Sequence, residues 1–502
     1  MLLLENARAY RYDAASRRFR LHRSLLVDGA RIVGIDEDPA GAAVRRIDVA
    51  GATILPAFTD CHVHLAETGY HTGPRSLRGI TTYAAYADAV ARAPVESGML
   101  YLGLFDDALW PDGRADRAPV ERLHPDAVAM IVRIDGHSSI VNRKTFAWLN
   151  LPPETNGIER DEHGEPTGRL FYDANWRAQT LLLERMPLEV TRAAQRRAAE
   201  VALRNGIVHL HAQLLGLDAD GYAAEIESFR DLPAKIHPKI CEPDPALAQR
   251  FNLPYVGGDV FLDGSIGSCT AALSEPYASG GLGELRFSDD ALHAYFAAAE
   301  ACGVSAGVHA IGDAAIDQCV RTWERVLGGK PSERGTRHFI EHFELARQDH
   351  IEACASMDIY LSMQPQFDAY WGGEDGMYEA RLGHGRTRTM NAFARILRAG
   401  ASLCGGSDSP VCVLDALAGM QACLDHHEAP ERLSVDEALA LYTVTAARFG
   451  FAEGETGNLD AGLHADLVVL DRDPFEQGSF AGCRVMQTWR EGEIVSETTR
   501  PS

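Results

Sequence analysis

Basic residues are scarce: 48 Lys and Arg stand against 71 Asp and Glu, a formal net charge of -23. Partners that carry phosphate need cationic surface to displace their counterions, so nucleic acid and an anionic membrane are excluded as general partners. Also missing is any apolar run near the ~20 residues that span a bilayer. The opening Met1 to Leu4 stretch stops at Glu5, too soon for the apolar region of a secretory signal, and a cytoplasmic location is expected. No Cys-x-x-Cys occurs among the ten cysteines. Cys302, Cys404 and Cys412 sit within apolar runs, which predicts reduced, buried thiols in place of a disulfide framework, and Cys61 reads as packing. What is present is ordinary for a soluble globular protein: 46% apolar and 24% charged residues. With 502 residues, the chain has room for one large barrel with attachments or about three ordinary domains.

The first fifty residues read as short strands, Leu2 to Tyr10, Leu25 to Val27, Arg31 to Ile35 and Arg46 to Val49. The last fifty read likewise, with turns at Gly457 to Gly462, a strand at Ala465 to Leu470, and a hairpin at Val485 to Val495 that bends at Glu491-Gly492. Two such end segments can pair into one small sheet domain, because domain termini often lie close together. Between them, apolar strands alternate with alanine-rich helices, the rhythm of βα units. The strands are the run ending at His62, Gly206 to His211, Lys235 to Cys241, Asp259 to Leu262, Val304 to His309, Phe339 to His342, Ile359 to Met363 and Ala401 to Cys404. Helices are expected at Thr191 to Arg204, Asp290 to Ala301, Ala314 to Leu327 and Asn391 to Ala399. A (β/α)8 barrel accommodates this alternation and places functional residues at the C-terminal ends of its strands. Residues 81–176 break the rhythm and read as an insertion after the first barrel strand. Within it, Asp135 to Ser139 is the polar turn best suited to reach a substrate. His137 there reads equally as a hydrogen-bonded turn residue.

In Leu55 to His64, two histidines alternate at the end of an apolar run. Residues i and i+2 of a strand share a face, so His62 and His64 would point at one spot, as two imidazole ligands of one cation must. Alone, a His-x-His is weak, and His209-Leu210-His211 supplies a second one. Downstream, however, Val308 to Asp313, Ile340-Glu341-His342 and Gly405 to Pro410 each put a His or Asp where an apolar run ends. Several imidazoles and a carboxylate suit zinc, and a carboxylate beside the ion can take a proton from its bound water.

This ordered set resembles the amidohydrolase superfamily, and within it the YtcJ-like branch (amidohydrolase family 3) that includes N-substituted formamide deformylases. The resemblance runs nearly end to end. It rests on Leu55 to Leu65, Phe261 to Ser268 with Thr270-Ala271, His309 to Asp317, Glu341-His342, Gln364-Pro365, Ser407 to Pro410 and Ala465 to Val468. It implies an α/β fold: a (β/α)8 TIM-like barrel over 57–452, carrying the insertion, with a β-sandwich-like domain built from 1–56 and 453–502. It implies His62 and His64 from the first strand, His309 from the fifth, His342 from the sixth and Asp408 from the eighth as ligands of one or two divalent ions. Two departures stand out. Ala57 occupies a usual Gly position, and Asp259 stands where many relatives carry a lysine able to become a metal-bridging carbamate. As a shorter carboxylate, Asp259 can bridge closer metals, bind one, or be structural. Asp263 is a rival carboxylate, although Asp263-Gly264 also reads as a turn.

The implied activity is hydrolysis of an amide-type C–N bond other than a peptide bond. Metal-bound hydroxide attacks the carbonyl carbon, Asp408 moves the proton as general base and then acid, and His342 or His137 stabilises the oxyanion. Asp408 in Ser407 to Pro410 also fits a helix N-cap. His211, Gln364, Trp371 and Tyr370 are candidates for the substrate pocket, and each reads also as packing. Alternatives are a lactonase or phosphoesterase on the same scaffold, or a non-catalytic binding or regulatory protein. The expected partner is a small-molecule substrate, and homo-oligomer formation stays open.

Overall fold

The computed structural model describes residues 1–37, 44–107, 110–111, 113–134, 136 and 138–498, and His137 therefore lies outside the described residues. The chain divides into two compact units, 1–64 with 200–502, and 65–199.

In the first unit, strands from both ends of the chain form two sheets. One orders Arg31–Ile35, Leu25–Asp28, Leu2–Glu5 and Arg45–Asp48. The other orders Glu493–Glu497, Val485–Arg490, Leu467–Leu470, Thr53–Pro56, Arg8–Asp13 and Arg18–His22. The ends meet where Leu467 pairs with Pro56 and Leu470 with Thr53, antiparallel. Leu4, Ala9, Leu25, Val27, Ile54, Leu467 and Trp489 share one buried cluster, so side chains from both sheets close a common core. Only Ala57 separates Thr53–Pro56 from the first parallel strand.

Eight short parallel strands follow: β1 (Phe58–Val63), β2 (Ile207–Leu214), β3 (Lys235–Ile240), β4 (Tyr255–Val256), β5 (Ser305–Ala310), β6 (Phe339–His342), β7 (Tyr360–Met363) and β8 (Ser402–Gly405). Helices Asp289–Cys302, Asp313–Leu327 and Phe393–Arg398 lie within a residue or two of their expected bounds. The regular pairing departs from the expected continuous cylinder: β1 to β3 make one open sheet and β4 to β8 another. Both seams have a local cause. After β4, Gly257 and Gly258 take φ of +85° and +118°, which breaks the strand, and only Gly257 N donates across to Ile240 O at 2.8 Å. A Cβ on Gly257 would lie 2.1 Å from Gly307 O, so only glycine fits this approach. Between β8 and β1, the Asp60 carboxylate accepts from His62 N at 3.0 Å and Ser407 N at 3.1 Å, and backbone bonding resumes just beyond β8, where Asp408 N donates to His62 O at 2.8 Å and His64 N to Ser409 O at 2.9 Å.

The fourth strand is thus Tyr255–Val256, upstream of the expected Asp259 to Leu262. Residues 259–262 instead run irregularly beside β5, with His309 N donating to Val260 O and Leu262 N to His309 O, each at 3.0 Å. Cys61, Tyr255, Phe339, Tyr360, Cys404 and Phe449 pack as one buried cluster among these strands. All ten cysteines are free, and Cys302, expected inside, is exposed.

In the second unit, Met99–Phe105 and Val128–Arg133 pair in parallel within a five-stranded mixed sheet. Alternation sends Met99, Tyr101, Met130 and Val132 into one buried cluster and Leu100, Leu102, Ala129 and Ile131 into another, so the sheet is covered on both faces. Among the described residues no helix is long and apolar enough to cross a membrane.

Candidate metal centre

The parallel strands deliver their polar residues to one place. The pleat of β1 sends His62 and His64 to the same side, and both Nε2 atoms stand 3.3 Å from Asp259 Oδ2. The same two atoms lie 3.3 Å and 3.1 Å from Asp408 Oδ1. On the other side of Asp259, Oδ1 faces His342 Nε2 at 3.5 Å and His309 Nδ1 at 3.7 Å. One short carboxylate therefore meets four imidazoles from β1, the residue following it, β5 and β6. His342 and Asp408 hold φ of +73° and +53°, conformations that non-glycine residues rarely adopt and that turn their side chains where an extended backbone would not.

Burial by itself would discharge these groups, and their mutual attraction opposes it. Burial lowers the His62 and His64 values, yet the Asp259 and Asp408 carboxylates raise both, that of His64 to about 10. Burial raises the Asp259 and Asp408 carboxyls, and the facing histidines hold both below the ordinary carboxylate range. The pocket favours positive charge among its carboxylates. Four buried atoms there have no hydrogen-bond partner: His62 Nε2, His309 Nδ1, Asp259 Oδ1 and Asp408 Oδ1. Unsatisfied buried polar atoms are costly, and here they form a nitrogen and oxygen set pointing inward. Two triads, His62 with Asp259 and His342, and His62 with His64 and Asp408, each have ligand atoms within 4.8 Å of one another. The donor set fits a divalent transition metal.

A family model described as "Amidohydrolase family" matches residues 45–496. The chain belongs to the amidohydrolase family. It is 27% identical to the Bacillus subtilis protein YtcJ over 491 residues, covering 90% of each chain. It is 25% identical to the N-substituted formamide deformylase of Arthrobacter pascens, covering 99% of this chain and 98% of that one. Among solved structures it resembles an uncharacterised metal-dependent hydrolase from Pyrococcus furiosus with a TM-score of 0.77 and 25% identity, over 94% of this chain and 99% of that one.

In this amidohydrolase the imidazoles are themselves anchored. His62 Nδ1 donates to Glu341 Oε2 at 2.8 Å, and Lys239 Nζ donates to Glu341 Oε1 at 2.6 Å. Burial pushes the Glu341 carboxyl up, but Lys239 and His62 outweigh it and bring it down to about 2. His342 Nδ1 donates to Gln364 Oε1 at 2.8 Å, which leaves its Nε2 facing Asp259. The sequence assigned no role to Lys239, Glu341 or Asp60, although Glu341 and Asp60 lie within the motifs that carry the resemblance. Lys239 carried little signal, because its strand also holds Lys235 and His237 and no apolar run marks it as buried. Glu341 is the neighbour of His342, and nothing in the sequence pairs it with His62.

The remaining candidates fall elsewhere. Asp263 is occupied by the backbone, accepting from Ala272 N at 2.9 Å, Ile311 N at 3.1 Å and Gly312 N at 2.8 Å, with His309 Nε2 3.6 Å away. Trp371 packs on Phe367 at 4.8 Å between ring centroids, and Phe367 stacks on His342 at 6.0 Å, so Trp371 lies one ring away from the histidines. Tyr370 is exposed. Asp408 caps no helix: the helix that follows is Ala416–Leu424, capped by Asp415.

His211 lies in an aromatic stack, 4.7 Å from His237, 5.2 Å from Phe449 and 5.8 Å from Tyr255. Burial pushes the His211 and His237 rings well below the ordinary imidazole value, and neighbouring histidines and lysines add to it. The unfolded chain takes up these protons near pH 6.5 and the folded one does not. Their stabilisation is therefore complete above about pH 6.5 and is lost as pH falls toward the folded values, at about 1.4 kcal/mol per pH unit for each ring. His211→Leu should reduce the slope of unfolding free energy against pH below 6.5 by one such ring. Urea titrations from pH 5 to 7 check this, and an unchanged slope would contradict it.

Proposed function

We propose that this amidohydrolase is a metal-dependent hydrolase of small molecules that cleaves an amide-type C–N bond other than a peptide bond. The observation that carries the reading is the convergence of His62, His64, His309, His342, Asp259 and Asp408, with ligand atoms left bare in a buried pocket. Zinc matches a set dominated by imidazole. His62, His64 and Asp408 would hold an ion on one side of Asp259, and His309 with His342 would serve the other. Likeness to the Pyrococcus furiosus metal-dependent hydrolase supports the metal, and likeness to the formamide deformylase supports the C–N bond. We carry with this reading a (β/α)8 barrel over 57–452, and a separate β-sandwich-like domain from 1–56 and 453–502.

A divalent ion bound there supplies a Lewis acid and lowers the pKa of a coordinated water toward neutrality. Asp408, kept ionised by His62 and His64, accepts the proton of the attacking water. It then delivers that proton to the departing nitrogen, because an amine leaves poorly unprotonated. His342, steadied by Gln364, is the residue proposed to face the developing oxyanion. Gln364, Trp371, Asp263 and His211 stand proposed only as supports of the pocket, with Gln364 acting through His342.

The test is metal analysis of the reconstituted protein, together with hydrolysis assays on amides, formamides, cyclic imides and lactones before and after chelation. At least one metal per chain and chelator-sensitive release of amine are expected. Metal well below one per chain would sink the site, and turnover confined to lactones would sink the C–N assignment.

A further inference from the structure

One network beside the centre follows from donor and acceptor chemistry alone. Lys239 and Glu341 are wholly buried. Lys239 Nζ donates to Glu341 Oε1 at 2.6 Å and to Cys61 O at 2.9 Å, while Glu341 Oε2 accepts from His62 Nδ1 at 2.8 Å. The ammonium also lies over the Phe339 and Phe449 rings, at 4.8 Å and 4.6 Å. An ammonium only donates. A neutral imidazole that presents a bare Nε2 to a metal must carry its proton on Nδ1 and donate from it. The group at position 341 is thus approached by donors on both of its polar atoms, and only a carboxylate accepts on both.

We propose that Lys239 and Glu341 are a positioning pair for His62, in which Lys239 imposes a carboxylate at position 341 and thereby keeps His62 Nε2 bare toward the metal. The inference rests on the metal reading above. It predicts that the nearly isosteric Glu341→Gln is harmful for a specific reason. With Lys239 present, the single amide oxygen is claimed by the ammonium, and the amide NH2 turns to His62 Nδ1. His62 must then accept at Nδ1 and carry its proton on Nε2, the atom that faces Asp259 and Asp408.

Removing the lysine releases the amide. In Lys239→Gln with Glu341→Gln, His62 Nδ1 donates to the amide oxygen at 341, the amide NH2 at 341 donates to the amide oxygen at 239, and the NH2 at 239 takes over Cys61 O. His62 Nδ1, both amide oxygens and Cys61 O each then have a partner. A second pair, Lys239→Met with Glu341→Gln, frees the amide without a polar group at 239.

The experiment is zinc affinity by competition with a chromophoric chelator, with circular dichroism of the apo forms as a check on folding. Glu341→Gln should weaken zinc about 10–100-fold, the usual effect of losing a ligand's outer partner. Both double variants should return to within a few-fold of wild type. Wild-type affinity in Glu341→Gln, or double variants as weak as the single one, would overturn the inference, since a purely structural role makes the losses accumulate. Doubles that unfold while Glu341→Gln stays folded would overturn it equally. His62→Ala separates the levels: if it binds zinc as wild type does, the metal reading itself fails.

Discussion

Asp408→Asn, assayed at saturating zinc, is expected to lower kcat by about 10²–10⁴-fold, the range for loss of a positioned proton-transfer group. The amide matches the carboxylate in size, and at this position it keeps an oxygen able to face His62 and His64, now 3.3 Å and 3.1 Å away. What it cannot do is take a proton from water and return it to a leaving nitrogen. The wild-type carboxyl is held below the ordinary range by those two histidines, so it is ionised and ready as a base throughout the neutral range. The loss should therefore fall on kcat with metal still bound at saturation, and substrates with better leaving groups should suffer less because they need less protonation. Steady-state kinetics with parallel metal analysis reads both quantities. A metal-loaded variant within three-fold of wild-type kcat would remove Asp408 from the proton-transfer role.

The second large effect is on the metal itself. Asp259→Asn should reduce bound divalent ion after dialysis to less than about one-tenth of wild type, because it takes the anionic charge from the point where four imidazoles meet. Asp259 is deeply buried and is kept ionised by the histidines around it. The substitution therefore leaves a neutral group at that point, with Asp408 as the remaining carboxylate facing the Nε2 atoms of His62 and His64. Saturation stoichiometry of the wild type reads the ion count, one or two, on the same samples. Full metal content in Asp259→Asn would show that this aspartate is structural and that His62, His64 and Asp408 suffice.

The legible part of the candidate centre was its list of candidate residues. His62 and His64 could be paired because strand alternation is local, and His309, His342 and Asp408 because each closes an apolar run. Asp259 was visible as a departure from the resembling family, but its approach to four histidines depends on Gly257-Gly258 ending β4 early, a conformation that glycine permits without requiring. The helix cap that was the alternative reading of Asp408 belongs to Asp415, seven residues on, since the chain turns at Asp408 before the helix begins. His209-Leu210-His211, which read more as packing than as substrate contact, marks the limit of that local pattern. It has the same spacing as the β1 pair, yet His211 enters a stack with His237 and Phe449, because the position of a residue along its strand decides whether its side chain meets the carboxylates or the packed interior.

By itself the sequence determined the alternation of strands and helices, the excess of acidic charge and the kind of ligand atoms available. These follow from periodicity and side-chain chemistry, which are properties of neighbours in the chain. Only the tertiary structure decided that Glu341 holds His62 and that Lys239 holds Glu341, across β1, β6 and β3. It also decided that the parallel strands separate at two seams. Those outcomes depend on hydrogen-bond partners 102 and 279 residues apart, and such pairings are selected by the free energy of the packed interior as a whole, to which no local pattern gives access.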